Sequence, residues 1–79
     1  MKLSTAISKR IVELCEEKEM SINKLAINSC ITQSTLHSII KEESENPKLL
    51  TLFRICDGLE IDINYFFNSR LFSNIDREI

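Results

Sequence analysis

The 79-residue sequence has no apolar run long enough to cross a membrane, since a membrane-spanning helix needs about 20 predominantly apolar residues. Its first residues also lack the apolar core of a secretory signal peptide. It contains no alternating strand pattern, no internal repeat and no low-complexity segment. A chain of this length has room for one domain only. These absences predict a single soluble, cytoplasmic, all-α domain that does not enter a membrane.

Cysteine and histidine are too few and too scattered for a metal centre. The cysteines Cys15, Cys30 and Cys56 form no closely spaced pair, and His37 is the only histidine. Zinc sites usually draw their ligands from such pairs. We therefore expect no metal and no cofactor, and interpret the three cysteines as reduced, buried packing residues. One histidine without a grouped nucleophile, acid or base also argues against an enzyme.

Carboxylates are missing from two stretches of the chain. Twelve acidic residues against ten lysines and arginines give a formal net charge of −2. All of these acids lie within residues 13–19, 42–45, 57–62 and 76–78, so residues 1–12 and 20–41 contain none. Two acid-free stretches in an acidic chain suggest a surface kept clear for an anion, although such gaps also arise by chance.

Three amphipathic helices are predicted in the first half of the chain. Apolar residues recur at helical spacing over residues 5–18. Ser21 and Thr32 are suitable N-caps for two shorter helices, and the composition of residues 28–30 indicates a tight break between them. The third helix is apolar on one side and carries polar side chains at helical spacing on the other: Gln33, Ser34, His37, Ser38 and Lys41.

Two further helices are predicted after a charged loop. Asn46 and Pro47 indicate the start of the fourth, with Asn as cap and Pro at the first helical position. This helix runs to about Leu59, with an apolar stripe of Leu49, Leu52, Phe53, Cys56 and Leu59. Asp62 can cap a short fifth helix over residues 63–67. We thus expect a domain over residues 4–68 and a short tail over 69–79.

A pair of short helices joined by a three-residue break meets the physical requirements for reading a DNA groove. The major groove admits one helix, and side chains that both donate and accept hydrogen bonds can distinguish base edges, as Gln does with adenine. Carboxylates on that side of the third helix would repel phosphates, and it has none. On spacing alone, the alternative is an ordinary solvated helix surface.

Several short motifs, in this order and spacing, resemble the Xre family of lambda-repressor-like regulators. They are residues 20–26 (MSINKLA), residues 31–36 (ITQSTL), the segment from Asn46-Pro47 to Thr51-Leu52, and the segment from Ile61-Asp62-Ile63 to Phe66-Phe67. The match covers about residues 7–67. The resemblance implies a compact five-helix domain that binds double-stranded operator DNA, usually as a dimer, with its third helix in the major groove. It also implies that the protein is a transcription regulator, and we expect a repressor.

The resemblance also implies roles for individual residues. Base-reading roles fall on Gln33, Ser34 and Ser38. Contacts to the DNA backbone fall on Asn23, Thr32, His37, Lys41, Asn46 and Lys48. Helix N-termini would assist these contacts, because their free N–H groups and dipoles favour phosphate.

The sequence departs from the family pattern in two ways. Glu19, Cys30 and Glu60 stand where family members often have glycine, and at Glu60 this predicts a left-handed residue just past the fourth helix. An acidic loop with Glu42, Glu43 and Glu45 replaces a basic one. The loop predicts weaker phosphate binding, and it leaves open a protein-interaction module whose helix-turn-helix is vestigial.

The C-terminal part is unusually rich in large apolar residues. They exceed what one short helix can bury against so small a core, and such a surplus usually marks an interface. We therefore expect a homodimer whose contacts include Phe66, Phe67, Leu71, Phe72 and Ile75. The alternative is a monomer whose tail folds back over the first helix or stays disordered.

Overall fold

The computed structural model describes residues 1–43 and 46–77. Within these ranges it consists of helices and connecting turns, without a strand, which confirms the predicted all-α, five-helix class. The helices are α1 Leu3–Glu17, α2 Ile22–Asn28, α3 Gln33–Ile40, α4 Leu49–Leu59 and α5 Ile63–Phe67, followed by a 3-10 turn at Arg70–Phe72. Glu45 of the acidic loop and Ile79 at the chain end lie outside the described residues.

Three of the five helices begin at the predicted caps. The Ser21 hydroxyl accepts a hydrogen bond from the backbone N–H of Lys24 at 3.1 Å. At the start of α3 the Thr32 hydroxyl accepts from the backbone N–H of Thr35, and at the start of α5 the Asp62 carboxylate accepts from that of Tyr65. Each cap satisfies a first-turn N–H group that has no partner inside the helix.

The start of α4 differs from the prediction. The helix begins at Leu49, and its N-cap is Lys48, whose backbone is extended at φ −65° and ψ 142°. Pro47 therefore precedes the helix instead of opening it, and Asn46 is not its cap. Asn46, Pro47 and Lys48 instead line a cleft beside α3 before the chain turns into α4.

The first four helices end in the same backbone motif. Glu19, Cys30, Glu42 and Glu60 follow α1 to α4 in turn, with φ values of 53°, 57°, 61° and 59°. In each case the next N–H group bonds back to a carbonyl in the last turn of the helix, as in Met20 to Cys15 at 2.8 Å and Ile61 to Cys56 at 3.0 Å. This is the Schellman arrangement, which favours glycine at the left-handed position. The left-handed geometry expected at Glu60 is confirmed.

The core lies between α1, α2, α3 and α4, with α5 closing one end. The largest side chain with no exposure is Phe66, and α1 contributes Ile7, Ile11, Leu14 and Cys15. From α4 the core takes Leu52, Ile55, Cys56 and Leu59. Leu49 and Phe53, predicted to belong to the buried stripe of α4, are instead 63% and 45% exposed. They lie at the edge of the buried stripe, beside Cys56, and the packing of α4 on α2 and α5 leaves this edge uncovered.

The cysteines do not behave alike. Cys15 and Cys56 are buried, as predicted, whereas Cys30 is exposed. The expectation for Cys30 was wrong because this residue occupies the left-handed position after α2, where the side chain points out of the break.

Helices α2 and α4 approach closely at the only glycine of the chain. A Cβ atom on Gly58 would overlap the Ser29 hydroxyl and would lie 3.0 Å from the Ser29 backbone nitrogen. Ser29 is itself buried at the end of α2. Gly58 therefore sets how near α4 lies to the helix that supports α3.

The tail folds back over α1. The N-terminal ammonium group of Met1 lies 3.1 Å from an Asp76 carboxylate oxygen and donates to the Asn74 carbonyl at 3.2 Å. Phe72 is half-buried against the core, and its ring lies 4.9 Å from that of Phe67. Phe66, assigned from the sequence to a dimer contact, is wholly buried within its own chain and is not free to contact a partner. None of the described helices is both long and apolar enough to span a bilayer.

Candidate nucleic-acid interface

One side of α3 is polar, exposed and free of carboxylates. Gln33, Ser34 and His37 are exposed on the helix and Lys41 at its C-cap, while Ser38 is half-buried. Leu36 and Ile39 hold the opposite side in the core. The helix therefore presents hydrogen-bonding side chains and a cation outward from a rigid support.

The first turn of α3 is preorganised by two threonines. The Thr32 oxygen accepts from the backbone N–H of Thr35 at 3.1 Å, and its hydroxyl donates to the Thr35 hydroxyl oxygen at 2.8 Å. The Thr35 hydroxyl hydrogen remains to donate outward. The preceding N–H groups of Gln33 and Ser34 belong to the unpaired first turn, which is the usual binding position for an anion at a helix N-terminus.

A cleft of about 550 Å³ separates α3 from the start of α4. Thr32, Ser38, Asn46 and Lys48, four of the residues predicted to contact DNA, all line it. Among the described residues that line it, the charged ones are Lys48 and Arg54, and none of these described residues carries a carboxylate. The cleft thus adds positive charge directly beside the polar side of α3.

Sequence reasoning missed part of this cleft. Thr35, Thr51 and Arg54 also line it. Part of the signal was present, because Thr51 and Arg54 are three residues apart and so share one side of α4.

Other predicted contacts lie outside the cleft. Asn23 is exposed in the first turn of α2, and Lys41 is exposed at the end of α3. Gln33, Ser34 and His37 lie on α3 without lining the cleft. These residues would have to meet a ligand that extends beyond the cleft along α3.

One carboxylate of the acidic loop, that of Glu42, is bound to α1. The Thr5 hydroxyl in α1 donates a hydrogen bond to the Glu42 carboxylate. This bond holds one of the three loop carboxylates against the start of α1. Glu43 is exposed, and its N–H bonds to the Ser38 carbonyl at 2.9 Å.

The titratable groups give no sign of a catalytic or metal-binding centre in the described part of the chain. Residues 1–43 and 46–77 contain no group of three or more potential metal ligands. Burial raises the pKa of the Cys56 thiol to about 11, with the nearby Asp57 and Asp62 adding to the shift. Burial also raises the pKa of Cys15. Both thiols are therefore protonated at neutral pH, which suits packing and not nucleophilic chemistry.

Comparison with known proteins agrees with this geometry. The model of the Cro/C1-type HTH DNA-binding domain matches residues 10–65. No curated protein sequence matches the chain significantly.

Several solved structures share the fold. The restriction-modification controller protein C.Esp1396I is 26% identical, with 92% of each chain covered and a TM-score of 0.81. A point mutant of that protein gives 27% identity, 85% and 86% coverage and a TM-score of 0.78. The prophage Lp1 protein 11 is 25% identical over 95% of this chain and 100% of its own, with a TM-score of 0.81. The family match covers most of this chain, and α2 and α3 form its helix-turn-helix. The chain belongs to the family of Cro/C1-type helix-turn-helix DNA-binding domains, and it is a DNA-binding transcription regulator.

Proposed function

We propose that this chain binds double-stranded operator DNA in a sequence-specific manner, as a two-fold dimer with α3 in the major groove, and represses transcription by occupying the operator. One observation carries the proposal: the acid-free polar side of α3 continues into a cleft in which Lys48 and Arg54 are the charged residues among those that the structure describes. A polar helix flanked by cations can approach phosphates and still read bases.

Gln33, Ser34 and Ser38 read bases in this proposal. Gln33 and Ser34 lie in the first turn of α3, from which groove-reading helices make their base contacts. Ser38 follows Ser34 by four residues and so lies on the same side of the helix. Ser38 is half-buried at the cleft, so its hydroxyl extends less far toward the bases than the exposed side chains of Gln33 and Ser34.

Contacts to the DNA backbone come from both sides of α3. Lys48 and Arg54 neutralise phosphates from the cleft, and Asn46 donates beside them. Thr32 acts with the free N–H groups of the first turn. Asn23, His37 and Lys41 extend the same contact surface along α2 and the far end of α3. Similarity to a protein described as a restriction-modification controller supports the regulatory role.

The proposal can be tested with the DNA that adjoins the gene for this chain. Fluorescence anisotropy over a salt series should show binding that weakens steeply as salt rises, because phosphate neutralisation releases counterions. Lys48→Ala and Arg54→Ala should each weaken binding to all sequences and reduce the slope of log K against log salt by about one.

A matched control is Arg70→Ala, which removes a cation from the exposed 3-10 turn and should leave the slope unchanged. If no duplex binds at low salt, or if binding is insensitive to salt, the proposal is wrong. The domain would then be a protein-interaction module that has lost its DNA-binding role.

A further inference from the structure

Helix α3 is bounded on both sides by residues with left-handed backbones. Cys30, in the turn before it, has φ 57°, and Glu42, just after it, has φ 61°. Neither is glycine, asparagine or aspartate, the residues that adopt this geometry at low cost. The Cβ atom of each therefore lies too close to the carbonyl oxygen that follows, which strains the native backbone. The strain is released only when the chain around α3 leaves its native path.

The attachment of α3 to the rest of the domain is small. Of its eight residues only Leu36 and Ile39 are buried, whereas α4 buries five. The cleft of about 550 Å³ separates α3 from the start of α4, so that α3 packs mainly on α1 and α2. An element that buries few apolar side chains lies at the low end of local stability in a folded protein.

Two side-chain hydrogen bonds tie the end of α3 to α1. The buried Ser8 hydroxyl donates to the Ile40 carbonyl, and the Thr5 hydroxyl donates to the Glu42 carboxylate. The Ile40 carbonyl belongs to the last turn of α3, whose carbonyl groups have no partner inside the helix. The two bonds therefore hold the helix in place at the position where the backbone of Glu42 is strained.

We propose that α3 opens and closes as a separate unit between Cys30 and Glu42, while α1, α2, α4 and α5 keep their native packing. Opening releases the strain at both ends and exchanges the two bonds to α1 for bonds to water. The other helices have contacts of their own. Helix α2 lies close to α4 at Gly58, and the Arg10 guanidinium of α1 donates to a carbonyl of α5.

This opening controls the candidate interface. In the open state Gln33 and Ser34 are no longer held side by side on a helix, and the cleft loses one wall. A ligand that requires helical α3 binds only the closed state and so lowers the population of the open one. That duplex DNA is such a ligand rests on the proposed function, whereas the opening itself is measured on the free chain.

Native-state hydrogen exchange of the free chain, followed by NMR, tests the proposal. The amide of Ile39 in α3 should exchange roughly tenfold faster, after correction for intrinsic rates, than those of Leu14 in α1 and Ile55 in α4. Cys30→Gly should slow the exchange of Ile39 about threefold, because glycine removes the strain from the closed state. Cys30→Ala is the matched control, since it also lacks the thiol but keeps the Cβ atom, and it should leave the rate unchanged.

A left-handed residue outside the unit separates local from global opening. Glu60 has φ 59° after α4. Glu60→Gly should therefore slow the exchange of Leu14 and Ile55, which requires global unfolding, and leave that of Ile39 unchanged. Ser8→Ala removes a bond to the end of α3 and should instead speed the exchange of Ile39 by roughly tenfold.

Three results would each overturn the proposal. They are equal exchange of Ile39 and Leu14 in the unaltered chain, equal slowing of both by Glu60→Gly, and equal rates in Cys30→Gly and Cys30→Ala. The first two would mean that α3 opens only with the whole domain, and the third that no strain is released at Cys30. A chain that follows the expected pattern, but in which duplex DNA slows none of these amides, would uphold the opening while refuting the proposed function.

Discussion

The Nε atom of Arg10 donates a hydrogen bond to the Phe66 carbonyl at 2.7 Å, across 56 positions of the chain. A second guanidinium nitrogen donates to the Tyr65 carbonyl at 2.6 Å. Arg10 is only 7% exposed and pairs with Glu13 on its own helix. A cation at the last carbonyls of a helix also interacts favourably with the dipole. Arg10 therefore fixes α5, which carries the central core residue Phe66, to α1.

Replacing Arg10 should reveal the strength of this connection. Arg10→Met retains an apolar stem but leaves both carbonyls without their donor, and we expect a loss of about 2–4 kcal/mol in the free energy of unfolding. Urea unfolding followed by circular dichroism measures it. Arg54→Met, a matched change at an exposed arginine, should alter stability by less than about 0.5 kcal/mol. Equal effects in the two variants would refute the role of Arg10.

Glycine at the end of α4 should stabilise the protein. Glu60 has φ 59°, and a residue with a Cβ atom loses about 1–2 kcal/mol in this region. Glu60→Gly recovers most of that strain but adds chain entropy to the unfolded state, so we expect a net gain of about 0.5–1 kcal/mol. Thermal unfolding measures the gain. Lys18→Gly, at φ −90°, should instead lower the melting temperature. A lower melting temperature for Glu60→Gly would contradict the explanation.

The close approach of α2 and α4 predicts a coupled pair of substitutions. Gly58→Ala adds a Cβ atom against Ser29 and should cost about 1–3 kcal/mol, because the backbone nitrogen of Ser29 cannot move freely. The Ser29 hydroxyl is buried without a hydrogen-bond partner among the described residues. Ser29→Ala should therefore be neutral or stabilising. In a double-mutant cycle, Gly58→Ala should cost less when Ser29 is already Ala; strict additivity would rule out the contact as the cause.

The three thiols should react at different rates. Cys30 is exposed, while Cys15 and Cys56 are buried with raised pKa values. Titration of the folded protein with a thiol reagent near pH 8 should modify one cysteine quickly and the other two only on unfolding. The Cys56 pKa rises from 9.0 to about 11, so its unfolded form ionises first and the stability it contributes is lost as pH climbs from 9 toward 11. Rapid modification of two or three thiols in native protein would contradict the burial.

Local features of the fold could be predicted from the sequence, because they depend on neighbouring residues. The caps Ser21, Thr32 and Asp62 each bond to an N–H group three residues ahead. The left-handed position of Glu60 also followed from helix-end chemistry. The polar side of α3 was evident from spacing alone.

Features that depend on distant partners could not be predicted in the same way. Leu49 and Phe53 fit a helical stripe as well as Ile55 does, and only the placement of the neighbouring helices decides which side is buried. Arg10 meets α5 across most of the chain, and no local pattern marks that contact. The spacing of Thr51 and Arg54 places them on one side of α4, but only the position of α4 relative to α3 puts that side in the cleft.

If the first turn of α3 reads bases, one substitution in it should weaken binding to the operator far more than binding to random DNA. Gln33→Ala should weaken binding to the preferred operator by about 1–3 kcal/mol, measured by anisotropy at fixed salt. Binding to random duplex of the same length should change far less, since phosphate contacts carry that affinity. Equal losses on operator and random DNA would contradict base reading by Gln33 and place it among the backbone contacts.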